Sequence, residues 1–161
     1  MTRRDTGFSI VEMLVVIGVV ATLALMTLPS YLEKGVRDQV IEALPLADIA
    51  KPPLAAAWTL AQSFPADNAG AGLPAADKIV GNYISSVSVQ DGAIHLTFGN
   101  QASKSIRGKY LTIRAAVVED SPVVPIAWVC GNSAVPAKMT LKGVNKTDIP
   151  PLFLPLKCRA L

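Results

Sequence analysis

The apolar run at residues 8–28 constrains this chain most, because its length matches the thickness of a lipid bilayer. A helix rises about 1.5 Å per residue, so about 20 apolar residues cross a hydrocarbon core of about 30 Å. Arg3 and Arg4 precede the run and Pro29 follows it. By the positive-inside rule the two arginines hold the N-terminus in the cytoplasm, so the rest of the chain is expected outside it.

One carboxylate, that of Glu12, lies inside the apolar run. An ionised group in a membrane-spanning helix costs about 2.5–3.5 kcal/mol on insertion scales, and it therefore points to a function and to a partner of opposite charge. Residues 13–33 contain no Lys or Arg. Cleavage between Gly7 and Phe8 would create an α-amino group one helical turn before Glu12, and this amine would supply the positive charge.

A secretory signal peptide and a plain membrane anchor are the alternative interpretations of this segment. A secretory signal has an apolar region of about 7–15 residues followed by a small-x-small cleavage site. The run here is longer, and residues 25–29 (LMTLP) contain no clean site of that kind. A plain anchor fits the length and the charge, but it leaves Glu12 without a role.

The N-terminal pattern resembles the class III signal and first helix of type IV pilins. The matching features are a basic leader ending in Gly7, then Phe8, Glu12, and Pro29 with Tyr31 behind the apolar run. In that family a prepilin peptidase cleaves after the glycine and methylates the new N-terminal residue. The resemblance implies cleavage of a leader at residues 1–7, N-methylation of Phe8 and an assembly role for Glu12.

Residues 29–62 are predicted to form an amphipathic helix. Apolar residues recur there at spacings of three and four, namely Leu32, Val36, Val40, Ala43, Leu44 and Ala47. Pro45, and then Pro52 and Pro53, interrupt this periodicity. The double proline predicts a break or sharp kink near residues 51–53, with Pro53 in the first turn of the helix that follows.

Two residues near the start of this amphipathic helix are interpreted as a hinge. Pro29 has no backbone N–H and leaves the carbonyl of Leu25 without its usual donor, while Gly35 is conformationally soft. The pilin resemblance implies that the helix loosens after this proline when subunits pack into a filament.

Residues 63–161 are predicted to form a globular head with a loop, four strands and an irregular tail. Residues 63–74 are rich in turn-forming residues, and alternating patterns predict strands at 83–89, 93–98, 110–118 and 126–130. Asp91-Gly92 favours a two-residue type I′ turn and hence a hairpin. A four-stranded antiparallel sheet with one apolar face needs a cover, and the amphipathic helix supplies it, so the fold class is α+β, as in the pilin fold.

The two cysteines, Cys130 and Cys158, follow the membrane-spanning run and are expected in an oxidising compartment. They allow one intrachain disulfide, which would close a loop of about 28 residues. A zinc site is disfavoured because His95 is the only histidine and no CxxC motif occurs. WVCG at residues 128–131 and LPLKCR at residues 154–159 resemble the D-region boundary of Gram-negative type IVa pilins, so the resemblance covers nearly the whole chain.

The formal charge of +3 is unevenly spread, with most Lys and Arg residues after residue 100. The acidic residues there are Glu119, Asp120 and Asp148. A basic face of this kind would attract DNA, anionic lipid or a surface receptor. A merely solvated face is the favoured interpretation, because no aromatic or nucleic-acid motif accompanies the charges.

No catalytic constellation emerges from the sequence, and neither a cofactor nor a metal is predicted. His95 lies beside no nucleophile motif. Asp67 and Asp77 offer too few carboxylates for a calcium site, so turn chemistry is the better interpretation.

The resemblance implies a structural subunit of a type IV pilus, close to a type IVa major pilin. Such a subunit sits in the bacterial inner membrane and is then assembled into an extracellular filament for adhesion, twitching motility or DNA uptake. Its partners would be copies of itself, the prepilin peptidase and the pilus assembly platform. Two alternatives remain: a minor pilin or type II secretion pseudopilin, and a membrane-anchored monomeric binding module.

Overall fold

The computed structural model describes residues 9–160, and for residues 28–30 it describes the backbone alone. Contacts divide the chain into two units, the first ending at Gly35 and the second beginning at Val36. Gly7 and Phe8, where cleavage and methylation are expected, lie outside the described residues.

The first unit is the N-terminal part of helix α1, which spans Ile10–Ala43. By length and composition this helix can cross a membrane. The helix continues through residue 29 and through Gly35 without a break.

The second unit begins with the rest of α1 and a change of helix type. A 3₁₀ helix at Leu44–Ile49 follows α1, and helix α2 spans Lys51–Ala61. The α-helical pattern ends here because Pro45 cannot donate a backbone hydrogen bond to the carbonyl four residues earlier. Pro52 and Pro53 lie in the first turn of α2, where backbone N–H groups have no partner within the helix. The interruption thus precedes residues 51–53.

The sheet contains the four predicted strands and a short fifth one. Its strands are β1 (Ile84–Gln90), β2 (Ala93–Phe98), β3 (Tyr110–Val117), β4 (Ala127–Cys130) and β5 (Thr140–Leu141). They are antiparallel in the order β1-β2-β3-β4, and β5 pairs with the end of β3. The hairpin prediction is confirmed, since Asp91 and Gly92 have φ values of 49° and 89° as a type I′ turn requires.

The core lies between the helices and one face of the sheet. On the helical side Val40, Ala43 and Ala47 are buried at the spacing that the amphipathic pattern predicted. Opposite them lie side chains at alternate strand positions, among them Val87, Val89, Ile94, Leu96, Phe98, Leu111 and Ile113. The predicted cover of the sheet by the amphipathic helix is therefore present within this unit.

The sheet is also covered on its other face, for which the sequence pattern predicted no cover. Ala93, His95, Thr112 and Ala116 point to that face, and all four are buried. Residues 142–148, which we call the strap, cover this face. An added Cβ at Gly143 would lie 2.6 Å from the Cβ of Ala93, so the strap touches the sheet there.

Candidate functional site

The most prominent functional surface is the apolar side of α1 within the first unit. Large apolar side chains between residues 10 and 26 are exposed, including Ile10, Val11, Leu14, Ile17, Leu23, Leu25 and Met26. Contiguous apolar surface on this scale marks an interface with protein or membrane. This part of the chain is therefore built to be covered by something else.

Glu12 is the one carboxylate on this surface, and it lies in the first turn of α1. The hydroxyl groups further along the helix bond to its own backbone, since Thr22 Oγ1 donates to the carbonyl of Val19 at 2.8 Å and Thr27 Oγ1 to that of Ala24 at 3.1 Å. Within residues 9–160, no ion pair or hydrogen bond engages the Glu12 side chain. Its partner must come from elsewhere.

The predicted hinge residues lie on a continuous helix. Gly35 has open space around its Cβ position, so packing does not require a glycine there. The boundary between the two units falls directly after Gly35.

The two cysteines are brought together at the end of β4. Cys130 and Cys158 form a disulfide with Cα atoms 4.6 Å apart. Around it, the N–H of Asn132 donates to the carbonyl of Cys158 at 3.0 Å, and Ser133 Oγ donates to the carbonyl of Lys157 at 2.6 Å. The tail is thus held by a covalent bond together with backbone contacts.

Many of the basic side chains after residue 100 are engaged inside the head. Arg107, Arg114, Lys142, Lys146 and Arg159 all donate hydrogen bonds to groups of the second unit. Arg107 and Lys146 are nevertheless exposed, as are Lys104, Lys138 and Lys157, and the last three form no side-chain hydrogen bond among the described residues. Part of the predicted basic face is thus engaged with groups of the head.

Two open grooves flank the 3₁₀ helix. One, of about 300 Å³, is lined mainly by Pro45, Leu46, Ile49 and Tyr83. The other, of about 400 Å³, contains Lys51, whose Nζ lies 2.6 Å from Asp48 and 5.8 Å from the Trp128 ring. Asp48 and Lys51 in the second groove are thus paired with each other, whereas Lys157, which also lines it, forms no side-chain hydrogen bond among the described residues. Among the described residues, no group of three His, Cys, Asp or Glu side chains is placed to hold a metal.

His95 lies on the outer face of β2, and burial gives it an unusual titration. Its side chain is 1% exposed, its Nδ1 lies 2.9 Å from Thr112 Oγ1, and its Nε2 has no hydrogen-bond partner. Burial, and secondly the charge of Lys146, lower the pKa of His95 from 6.5 to about 4. The histidine is therefore neutral at physiological pH, and among the described residues the recorded hydrogen-bond partner of its ring is the hydroxyl of Thr112.

Asn68 has a structural role that the sequence did not indicate. Its side chain donates at 2.9 Å to the carbonyls of Pro74 and Val87 and accepts from the N–H of Val89 at 2.7 Å. It thereby fixes the predicted loop at residues 63–74 to β1. A buried Asn in a turn-rich loop carries no sequence signal that distinguishes it from an exposed one.

The fold and the exposed helix define a class of protein in which a long apolar helix precedes a disulfide-tied head with an antiparallel sheet. The chain belongs to the pilin family of bacterial filament proteins, whose family model matches residues 36–159. It is 32% identical over 132 residues to the type IV major pilin protein PilE of Neisseria gonorrhoeae. The aligned residues make up 81% of this chain and 77% of that relative.

Two further relatives agree with this assignment. A fimbrial protein of Neisseria meningitidis is 29% identical over 92% of this chain and 84% of its own length. The fimbrial protein EcpC of Eikenella corrodens is 31% identical over 83% of this chain and 87% of its own length. The chain is accordingly a structural filament protein of a family that is not enzymatic.

Proposed function

We propose that this pilin is the structural subunit of a type IV pilus, cleaved after Gly7 and N-methylated on Phe8. The observation that carries the proposal is Glu12, a carboxylate without a partner in residues 9–160 on an otherwise apolar exposed helix. The names of the relatives support the type IV class. Before assembly the subunit spans the inner membrane once with its N-terminus in the cytoplasm, and afterwards it is part of an extracellular filament.

Glu12 fixes the position of each new subunit relative to its neighbour during assembly, which we call its register role. In the filament its carboxylate meets the new α-amino group of Phe8 from a neighbouring copy. A skipped or shifted insertion leaves both charges buried and unpaired, which costs several kcal/mol. The prepilin peptidase and the assembly platform are the partners that this route requires.

The decisive experiment measures processing and assembly in the same cells. Glu12→Ala is compared with Glu33→Ala, which removes a carboxylate outside the apolar run. We expect intact mass spectrometry to show a processed N-terminus in both variants and sheared filaments to fall at least tenfold for Glu12→Ala alone, since a loss of about 1.4 kcal/mol corresponds to a factor of ten. A processed Glu12→Ala chain with a normal filament yield would refute the register role.

The same preparation separates the alternative functions. An uncleaved N-terminus would indicate a monomeric membrane-anchored module. A processed chain that is scarce in sheared filaments would indicate a minor pilin or a pseudopilin. N-methylated Phe8 in abundant filaments is the outcome that we expect for a main subunit.

Pro29 and Gly35 form the hinge of the helix in this proposal. The free space around Gly35 and the unit boundary directly after it support this role. Gly35→Ala stabilises the straight helix by up to about 1 kcal/mol and should lower the filament yield if the helix has to bend there. Gly18→Ala, which also meets open space, is the matched control.

DNA or a surface receptor would be bound through exposed basic side chains that have no hydrogen-bond partner among the described residues. Lys104, Lys138 and Lys157 are of this kind. A filament in which all three are replaced by Ala should bind DNA more weakly at low salt, whereas unchanged binding would exclude this surface.

A further inference from the structure

The buried histidine and the strap are joined through one threonine. Thr112 Oγ1 lies 2.9 Å from His95 Nδ1 and also accepts the backbone N–H of Lys146 at 3.0 Å. The N–H of Thr112 in turn donates to Thr147 Oγ1 at 3.0 Å. A change in the protonation state of His95 therefore acts on the Thr112 hydroxyl, which is itself hydrogen-bonded to the strap backbone.

The strap is held by a short series of polar contacts. At the start of the strap, the N–H of Lys142 donates to the carbonyl of Ala115 at 2.8 Å. At its end, Asp148 Oδ1 accepts a hydrogen bond from the N–H of Tyr110 at 2.5 Å. In between, Lys146 Nζ donates to Gln90 Oε1 at 2.7 Å. Such a segment, fixed mostly by exposed or half-buried hydrogen bonds, opens more readily than the core strands.

Protonated His95 is unstable while the strap covers the outer face of the sheet, a state that we call the closed head. Imidazolium donates from both nitrogens, but Nε2 is buried without an acceptor. A buried polar group without a partner is costly, and a buried charge is more so. Opening of the strap would give the ring access to water.

The charged groups around His95 do not stabilise the positive charge that protonation adds to its ring. On β1 the neighbours are Ser88 and Gln90, which are uncharged, and on β3 Arg114 lies two residues from Thr112 on the same face. The strap contributes the cation of Lys146, while its carboxylate at Asp148 is already engaged with the N–H of Tyr110. The helices lie on the opposite face of the sheet.

We propose that His95 and the strap, residues 142–148, form an acid-sensitive latch in which protonation of His95 releases the strap from the outer face of the sheet. Release frees the N–H groups of Tyr110 and Thr112 at the edge of β3. Unpaired edge groups of this kind can pair with another strand. The latch would thus make the surface of the head depend on external pH.

The size of the effect follows from the two states of the histidine. In the closed head the pKa of His95 is about 4, and in the open strap it returns toward the ordinary 6.5. Because the closed form binds the proton more weakly, the latch is fully stable above pH 6.5 and weakens as the pH falls toward 4. Linkage gives an opening constant about 27-fold larger at pH 5 than at pH 7.5. His95 is the only histidine of the chain, and histidine is the side chain whose ordinary pKa lies between the two pH values compared.

The test is hydrogen exchange on the full chain in nonionic detergent at pH 7.5 and pH 5. Protection factors, corrected for intrinsic exchange at each pH, are compared for the amides of Lys146 and Asp148 and for the core amide of Leu54. We expect the two strap amides to lose about 27-fold in protection while Leu54 keeps its value. Equal loss at all three amides, or no loss in the strap, would overturn the latch.

Variants assign the effect to the histidine. His95→Gln does not titrate and should abolish the pH-dependent loss, whereas Lys104→Ala, an exposed lysine elsewhere on the head, should leave it unchanged. Should His95→Gln fail to fold, the ring signals of the wild-type histidine provide the measurement by NMR titration. A midpoint well below 6.5 that coincides with strap opening supports the latch, and a midpoint near 6.5 or a strap that opens independently of it refutes the proposal.

Discussion

Removal of the Cys130–Cys158 disulfide should lower the free energy of unfolding of the head by about 3.6 kcal/mol. The two cysteines are separated by 28 residues. In the chain-entropy description a loop of this size removes about 12 cal/mol/K from the unfolded chain, which is about 3.6 kcal/mol at 25 °C. The variant that tests this is Cys130→Ala combined with Cys158→Ala.

The head should still fold without the bond, because other contacts hold the tail. Leu154 is fully buried, and the strap keeps its hydrogen bonds to β3. Urea unfolding in nonionic detergent, followed by the fluorescence of Trp58 and Trp128, gives the free energy. With a slope of about 2 kcal/mol/M the midpoint should fall by about 1.8 M.

Reduced wild-type protein is the control, since it loses the cross-link without any substitution. It should match the double variant, and reductant should have no effect on the double variant. A loss below about 1 kcal/mol in both would refute the entropic account and would mean that noncovalent contacts restrain the tail in the unfolded chain as well.

Two further substitutions test how loops are fixed to the sheet. Asn68→Ala removes three hydrogen bonds at a buried site and should lower the unfolding free energy by about 3 kcal/mol. The control Asn82→Ala, at an exposed site with one hydrogen bond, should lower it by less than about 1 kcal/mol. Equal losses would contradict the role of Asn68 in fixing the loop at residues 63–74 to β1. Gly131 and Gly108 both have positive φ, but only at Gly131 would a Cβ lie 2.6 Å from the carbonyl oxygen of Cys158. Thermal unfolding should show a loss of about 1–2 kcal/mol for Gly108→Ala and a clearly larger loss for Gly131→Ala, and comparable losses would show that the tail moves aside.

Local features of the fold could be predicted from the sequence because they depend on residues that are close in the chain. The hairpin followed from alternation on both sides of Asp91-Gly92, and it is present in the structure. The buried helical face at Val40 and Ala43 followed from spacings of three and four. The regular α-helix is interrupted over Leu44–Ile49, beside Pro45, and helix α2 begins at Lys51, so the interruption ends at the predicted break near residues 51–53.

The sequence by itself determined the apolar helix, the position of its single carboxylate and the positions of the strands along the chain, since length, periodicity and turn chemistry are local properties. Only the tertiary structure decided that both faces of the sheet are covered. The strap covers the outer face through contacts such as Lys146 with Thr112, which are 34 residues apart in the chain. No local pattern encodes a contact of that separation. For this reason the burial of His95 and Asn68 could not be predicted from the sequence.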